Sequence, residues 1–506
     1  MQVLFRLDAS RQIGIGHLAR CLTLANVLAS SGGECVFALS PSSREVQIRI
    51  ASAGHAVVIS AVELLPDQIT KGWEASKASA AQQNEDAHSL RVLMGSTLPD
   101  LVVVDHYRLD ANWEAEWPEA RVCVIDDLAD RTHACEVLLD QTSGRILADY
   151  RDQIGSDTNL LLGSQFALLR PEFGALRNAA LDRRAAQQDA RSIFVNFGGG
   201  DFGGLTLAVL QELARVDFNG PVAISLGGMA KDCEPIGALS AQHKNWDLRI
   251  DDTEVAGAMA NADIAIGGCG ATSWERCALG LPSIVMQQAE NQAVVAKALI
   301  SSGASIKAGD AAEAVAHALA LKDDVDLWHD MAACSAALCD GLGAMRVARR
   351  LVGYEHDTKL RIRPANSEDR INLWAWRNDP FVRAASPSPA PIPLRGHSEW
   401  FANALSRDDR AIFIGEQDGE NIGMVRFDVE GTFATISIAL APVSRGKGLG
   451  PELLAQAIEA FSAPDGVETL EAMVAPENAA SQRLFASAGF HHAASVTPFD
   501  CFVRKV

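Results

Sequence analysis

Short apolar runs alternate with longer amphipathic stretches from residue 1 to about 350. VLFRL, ECVFAL, HAVVIS, DLVVVD and RVCVIDD come first; SIFVNFG, PVAISLG, ADIAIGG and PSIVMQ follow. Apolar strands separated by helical segments imply βαβ units and a parallel sheet. The rhythm breaks at 174–191, GALRNAALDRRAAQQDAR, which is charged, alanine-rich and helical in character, and restarts at SIFVNFGGGD. The simplest account is two α/β lobes, 1–170 and 171–352, with a ligand cleft between them. The texture changes after a linker at 353–359. LRIRPANSEDRINLWAWRNDPFV reads as strand, turn and helix. AIFIGEQDGENIGMVRFDV and FATISIALAP read as strands, with DGEN as a hairpin turn. Residues 360–506 therefore form a third, α+β domain. SPSPAPIP, 386–393, is a proline-broken loop.

A chain of 506 residues is long enough for roughly three domains. Its formal net charge of −20 argues against a nucleic-acid partner, because so acidic a surface repels phosphate. A local basic pocket for a small anion remains compatible with it. The 10 cysteines are scattered through apolar stretches with no C-x-x-C pair, which points to buried thiols in a reducing compartment. Arg6 and Asp8 interrupt the apolar core that a signal peptide needs. No run approaches the ~18 apolar residues that span a membrane. A cytoplasmic protein with no membrane partner is expected.

Four clusters in the first 352 residues carry chemistry. FRLDASRQIGIGHLARC, 5–21, leads from a strand through two glycines into a helix. Gly14, Gly16 and Ala19 fit the dinucleotide pattern G-x-G-x-x-G/A. Polar residues delay the first glycine, however, and no acid ends the second strand, VFALSPSS, so that reading is weakened. His17 lies between the glycine turn and the helix start; it is either a packed or capping histidine or an acid–base group. Asp105, His106 and Tyr107 in VVVDHYRLD lie at a strand end, where α/β ligands bind, although Asp105 could simply cap the next helix. Asp126, Asp127, Asp130, His133 and Asp140 match no standard zinc or calcium spacing, so no metal is expected. NFGGGD, 196–201, ends another strand. In GGCGATSWERCALGLPSIVMQQAENQ, 267–292, Gly267, Gly268 and Gly270 allow a tight turn. Ala271, Thr272 and Ser273 open a helix with bare amides, and Glu275 is one turn in.

A glycine turn into a helix, Glu in its first turn, G-L-P and a later polar pair resemble the nucleotide-sugar site of GT-B folds, such as that of the transferase that makes lipid II. That resemblance implies a UDP diphosphate on Gly270, Ala271, Thr272 and Ser273, the ribose on Glu275, and the sugar against Asn291 and Gln292. R-x-D-A-S-x-x-I-G-x-G-H-x-x-R-C, DHY, IDDLADRTHACEVLLDQ, ALLRPEF, FGGGD and TSWERCALGLP…AENQ together resemble, in order, the UDP-sugar hydrolases of pseudaminic acid synthesis. That family implies hydrolysis of UDP-2,4-diacetamido-2,4,6-trideoxy-β-L-altropyranose to UDP and free sugar, with water in place of an acceptor. His17 is then the candidate base or water-orienting group, and Asp8, Tyr107 and Asn291 its positioning partners. Gly14, Gly16, Arg20 and Gly199 complete the substrate-binding set. Gly200 stands where the family has a serine.

In APVSRGKGLGPELLAQAIEAF, 441–461, Arg445-Gly446-Lys447-Gly448-Leu449-Gly450 opens a helix. Its amides can wrap a pyrophosphate, and Arg445 and Lys447 add charge; a generic flexible turn is the alternative. The stretch resembles the R/Q-x-x-G-x-G/A signature of GNAT acyltransferases, which implies acetyl-CoA as co-substrate on Arg445, Gly446, Lys447, Gly448 and Gly450. Asn478 and Ser481 in VAPENAASQRLFASAGF match that family's N-x-x-S. WRNDPFVR and HSEWF resemble its sugar-amine and ribosomal-protein branch. Family members often carry a tyrosine acid in the final helix. Here the only tyrosines are 107, 150 and 354, and Phe485 falls at that position. Ser481 or a water could replace it, or the thiolate leaves unassisted, or the domain binds CoA without turnover. The resemblances imply a bifunctional enzyme that acetylates a UDP-4-amino sugar and then hydrolyses the product. A GT-B glycosyltransferase with an acceptor, or a sugar-nucleotide binder with an acetyl-CoA sensor, are the rivals.

Overall fold

The computed structural model describes the chain apart from residues 11–12, 67–75, 199–200, 202, 229, 253, 354–358, 387, 462–465 and 497, and the side chains of 291, 380 and 496. The chain divides into two compact units, Met1–Tyr354 and Glu355–Val506.

Two parallel sheets build the first unit. One holds β1 (Gln2–Leu7), β2 (Glu34–Leu39), β3 (Ala56–Ile59), β4 (Leu101–Asp105), β5 (Arg121–Ile125), β6 (Val137–Asp140) and β7 (Asn159–Leu162), in spatial order 3-2-1-4-5-6-7. The other holds β8 (Ile193–Asn196), β9 (Val222–Leu226), β10 (Trp246–Ile250), β11 (Ile264–Gly268), β12 (Ser283–Met286) and β13 (Ser305–Lys307), in order 10-9-8-11-12-13. Alternate residues explain why the strands read as continuous apolar runs. Val3, Phe5 and Leu7 enter one core and Leu4 the other, so both faces of β1 are covered. Strand order reverses between β1 and β4 and between β8 and β11. Those switch points open crevices at the strands' carboxyl ends.

Helix Pro171–Ala186 packs on the second sheet through Phe173 and Ala180. Helix Gly343–Leu351 returns to the first sheet, where Ala344, Val347, Ala348 and Leu351 join the core of helix Gly16–Ser30. An ion pair at 3.9 Å joins Arg49, on a helix after β2, to Asp251, which follows β10. Among the described residues, one stretch, Val325–Leu351, matches a membrane span in length and mean hydropathy, although Asp326, Asp330 and Asp340 interrupt its apolar residues. It is two helices whose Trp328, Met331, Val347 and Leu351 are packed inside the fold.

The second unit is one mixed sheet: β14 (Arg361–Pro364), β15 (Arg410–Gln417), β16 (Glu420–Glu430), β17 (Phe433–Leu440), β18 (Thr469–Val474), β19 (His491–Val496) and β20 (Phe499–Lys505), in order 14-15-16-17-18-20-19. The expected hairpin joins β15 to β16 through Asp418 and Gly419. Both have positive φ, 55° and 76°, as a tight primed turn requires. β17 and β18 run parallel but pair only over Phe433–Thr435 and Thr469–Glu471. Past that point the ladder stops although both strands continue. Helix Leu449–Ala460 buries Leu453, Leu454 and Ala457 against Val425, Phe427 and Ile436.

Candidate active sites

The first switch point carries a histidine–carboxylate pair. β1 leads through a polar turn into helix Gly16–Ser30, closed by Gly14 N–H donating to Ser10 O at 2.9 Å. Gly14 has φ +87°, which a side chain would strain, and a Cβ at Gly14 or Gly16 would meet nothing within 4 Å. The two glycines leave clearance and are not wedged into packing. His17 Nδ1 is 2.5 Å from Asp105 Oδ1, at the end of the adjacent β4. Arg20, one helical turn on, donates to the same carboxylate from Nε and Nη2, both at 2.6 Å, and to Asp127 at 2.7 Å. Burial favours a protonated Asp105, but Arg20 and His17 outweigh it and hold the carboxyl well below its usual range. Asp105 is therefore a charged acceptor, and the 2.5 Å contact places the imidazole proton on Nδ1. In the neutral imidazole this tautomer puts the lone pair on Nε2, the arrangement a base requires. The Tyr107 ring meets His17 edge-on at 4.6 Å, and its hydroxyl lies 3.4 Å from Asp127.

Asp8 belongs to a neighbouring buried network. Its carboxylate accepts from Ser40 N–H and Oγ at 2.7 and 2.6 Å and from Arg6 at 3.2 Å, and it meets His106 Nε2 at 3.0 Å. The acidic run 126–140 is tied into protein partners, with Tyr150 bridging Asp126 and Asp140 at 3.1 and 2.8 Å. Asp126 pairs with Arg131 at 2.9 Å, His133 with Glu114 at 2.8 Å, and Asp140 with Arg145 at 2.6 Å and Tyr150 at 2.8 Å. Burial pushes Asp140 up to about 6. Burial also opposes charge on His133, but Asp126 and Glu114 overcome it and raise the imidazole to about 9.

The second switch point is a bare turn over a buried cation. β11 ends at Gly268, and the chain turns through Cys269–Ala271 into helix Thr272–Ala278. Among the described residues, no acceptor pairs with the N–H groups of Cys269, Gly270 and Ala271. A Cβ on Gly267 would lie 2.3 Å from Asn196 O and 2.7 Å from Arg276 Nη1, so the strand ends need glycine there to close. Ser273 is buried, and Arg276 donates to its Oγ at 3.1 Å. Thr272 and Glu275 are half-buried; burial raises the Glu275 carboxyl above its ordinary value against the pull of Arg170 and Arg276. Gln292 accepts from Gln288 N–H at 3.0 Å. Gly199, Gly200 and the Asn291 side chain lie outside the described residues.

In the second unit, Gly446 and Gly448 have φ +73° and +76° and turn the chain into helix Leu449–Ala460. Gly450 is buried in that helix's first turn, and Lys447 is exposed beside the turn. Arg445 pairs with Asp379 at 2.9 Å, lies 5.2 Å from the Phe381 ring, and donates to Leu440 O at 3.3 Å. Asn478 caps helix Ala479–Ser487 by accepting from Ser481 N–H at 3.1 Å; the Ser481 side chain is half-buried. Phe485 is buried against Phe490.

The family described as an acetyltransferase (GNAT) domain matches residues 359–491. The solved structure of MurG from Acinetobacter baumannii covers 69% of this chain and 99% of its own, with a TM-score of 0.50 and 14% identity, a likeness of fold. The chain joins a GT-B-like unit to a GNAT domain. An uncharacterized protein of Methanocaldococcus jannaschii is 21% identical over 431 residues, 83% of this chain and 81% of that one. UDP-2,4-diacetamido-2,4,6-trideoxy-β-L-altropyranose hydrolase of Campylobacter jejuni is 25% identical over 258 residues, 51% of this chain and 80% of that one. Those 258 residues fall short of spanning both units. In the GNAT domain, β17 and β18 stop pairing after Thr435 and Glu471, although β17 runs on to Leu440 and β18 to Val474, so their facing peptide groups beyond that point are not paired with each other.

The sequence singled out both His17 and Asp105 but did not pair them. Asp105 faces Leu7 in register across β1 and β4, and a strand-end aspartate beside the glycine turn was the available signal. Arg276 was missed, since nothing in its spacing marks a buried cation.

Proposed function

We propose that the GT-B-like unit hydrolyses UDP-2,4-diacetamido-2,4,6-trideoxy-β-L-altropyranose and that the GNAT domain makes this substrate by acetylating its UDP-4-amino precursor. The observation that carries the reading is the His17–Asp105 pair at the β1–β4 switch point. His17 Nε2 accepts a proton from water as the water oxygen bonds to the anomeric carbon. The C1–O bond breaks, and its electron pair leaves on the β-phosphate oxygen of UDP. Asp105 holds the imidazole in the required tautomer and stabilises the imidazolium that forms. The amides of Cys269–Ala271 face the leaving diphosphate, so its charge is met by fixed dipoles. Glu275 binds the ribose, while Tyr107 and Asn291 line the sugar. Gly14 and Gly16 provide room for the sugar to approach. Arg20 acts through Asp105, and Asp8 acts at one remove, through its bond to His106.

In the GNAT domain, Gly446, Gly448 and their amides cradle the CoA pyrophosphate with Lys447 beside them, and the opened edge of β17 and β18 takes the pantetheine amides. The sugar amine attacks the thioester carbonyl, and CoA leaves as the thiol. Phe485 supplies no acid, so Ser481 or solvent protonates the sulfur. The test supplies acetyl-CoA and the UDP-4-amino sugar and follows UDP, free sugar and thiol. Wild type gives all three. His17→Ala gives thiol and accumulates the acetylated UDP-sugar; UDP release at the wild-type rate would remove His17 from the mechanism.

A further inference from the structure

Two arginines of the second lobe are buried and a third, Arg177, is half-buried, all without a carboxylate partner in hydrogen-bond range, and two of the three have an evident reason. Arg184 donates to Met259 O and Ala262 O, each at 2.9 Å, where helix Val255–Asn261 ends. Arg177 donates to Ala278 O and Ala336 O at 2.7 Å and to Cys339 O at 2.8 Å, at the ends of two further helices. Helix carboxyl termini carry partial negative charge, so both cations are compensated within the fold.

Arg276 is the exception. It is 1% exposed, and its side chain runs back toward the start of its own helix. It donates from Nη2 to Gly268 O at 2.6 Å and Ser273 Oγ at 3.1 Å, with Thr272 Oγ1 3.5 Å from Nη1. Nε is buried and has no partner. Among the described residues, none of its nitrogens forms an ion pair with a carboxylate. A full positive charge thus sits at the positive end of a helix, between the ends of β8 and β11, beneath three unpaired amides. A buried cation in that place is unfavourable unless an anion arrives. The same side chain also sets the turn. It pulls the Gly268 carbonyl inward, and in a trans peptide the Cys269 N–H must then point the opposite way.

We infer that Arg276 is the positioning residue for the nucleotide diphosphate: it supplies the buried counter-charge and turns the Cys269 amide outward. This rests on the sugar-nucleotide reading of the same unit. The full-length chain is titrated calorimetrically with UDP, pyrophosphate and uridine, as wild type, Arg276→Gln and Arg276→Lys. Arg276→Gln is expected to bind UDP and pyrophosphate at least tenfold more weakly than wild type and uridine within twofold, and Arg276→Lys to recover part of the loss. A merely structural role would weaken uridine equally. Equal loss of all three ligands, or UDP binding by Arg276→Gln as tight as by wild type, overturns the inference and leaves the sugar-nucleotide reading standing. Wild type that binds neither UDP nor pyrophosphate overturns both. If Arg276→Gln fails to fold, Arg276→Lys decides: it must still favour UDP over uridine but by a smaller ratio than wild type, and an unchanged ratio refutes the inference.

Discussion

Replacing Asp105 by asparagine keeps the shape and removes the charge. Oδ1 now accepts from His17 at 2.5 Å and from Arg20 Nη2 at 2.6 Å, and Oδ2 accepts from Arg20 Nε at 2.6 Å. An asparagine has one accepting end. If its NH2 takes the Oδ1 place, it donates to His17 Nδ1, moves the proton to Nε2 and abolishes the base. If the NH2 takes the Oδ2 place, it confronts the Arg20 Nε–H. Either way Arg20 keeps a single bond to the remaining carbonyl oxygen, and Asp127 becomes its only carboxylate partner. Breaking a buried pair costs about 3–5 kcal/mol, and the surviving Asp127 contact puts the expected loss near the lower end. Loss of a correctly oriented base lowers the rate about 100- to 10,000-fold, or about 3–5 kcal/mol of barrier. UDP release under single turnover measures the second effect and urea denaturation the first. Asp105→Asn should bind UDP normally, release it at least 100-fold more slowly, and unfold at lower urea. Release within a few-fold of wild type from a folded variant would refute the pairing argument.

Two further outcomes follow from other groups. His133 is held at about 9, above its ordinary 6.5, so its contribution is complete below pH 6.5 and is lost as pH rises through 9. At 1.36 kcal/mol per pH unit it is on the order of 3 kcal/mol, and His133→Gln should flatten the fall in urea stability between pH 6.5 and 9; an unchanged slope would contradict the assignment. Gly448→Ala forces a side chain onto φ +76°, at a cost of about 1–2 kcal/mol. The acetyl-CoA KM should rise about 5- to 30-fold while UDP release from already acetylated substrate is unchanged; equal loss of both would show that the turn serves the whole chain.

The parallel strands were legible because both their faces are buried, so composition alone marks them. Those missed are the exceptions. β10 reads WDLRI, with polar residues alternating at a sheet edge, β13 is three residues long, and β6 and β7 border a charged run. Glycine turns were legible because positive φ demands a residue type, as at Gly14, Gly446 and Gly448. Partners were not. His17 and Asp105 are 88 residues apart, and Arg445 finds Asp379 across another loop. Asp8 was expected to help position water or sugar beside His17, yet its side chain is consumed by Ser40, Arg6 and His106. Strand order decides such pairings, and no local spacing encodes it.

The most direct test of the central claim is hydrolysis of the acetylated UDP-sugar by the whole chain in ¹⁸O-water, with no acceptor present. Attack by water at the anomeric carbon predicts one ¹⁸O in the free sugar and none in UDP, before exchange at C1 of the free sugar is significant. Label in the β-phosphate of UDP, or no UDP until an acceptor is added, would contradict it.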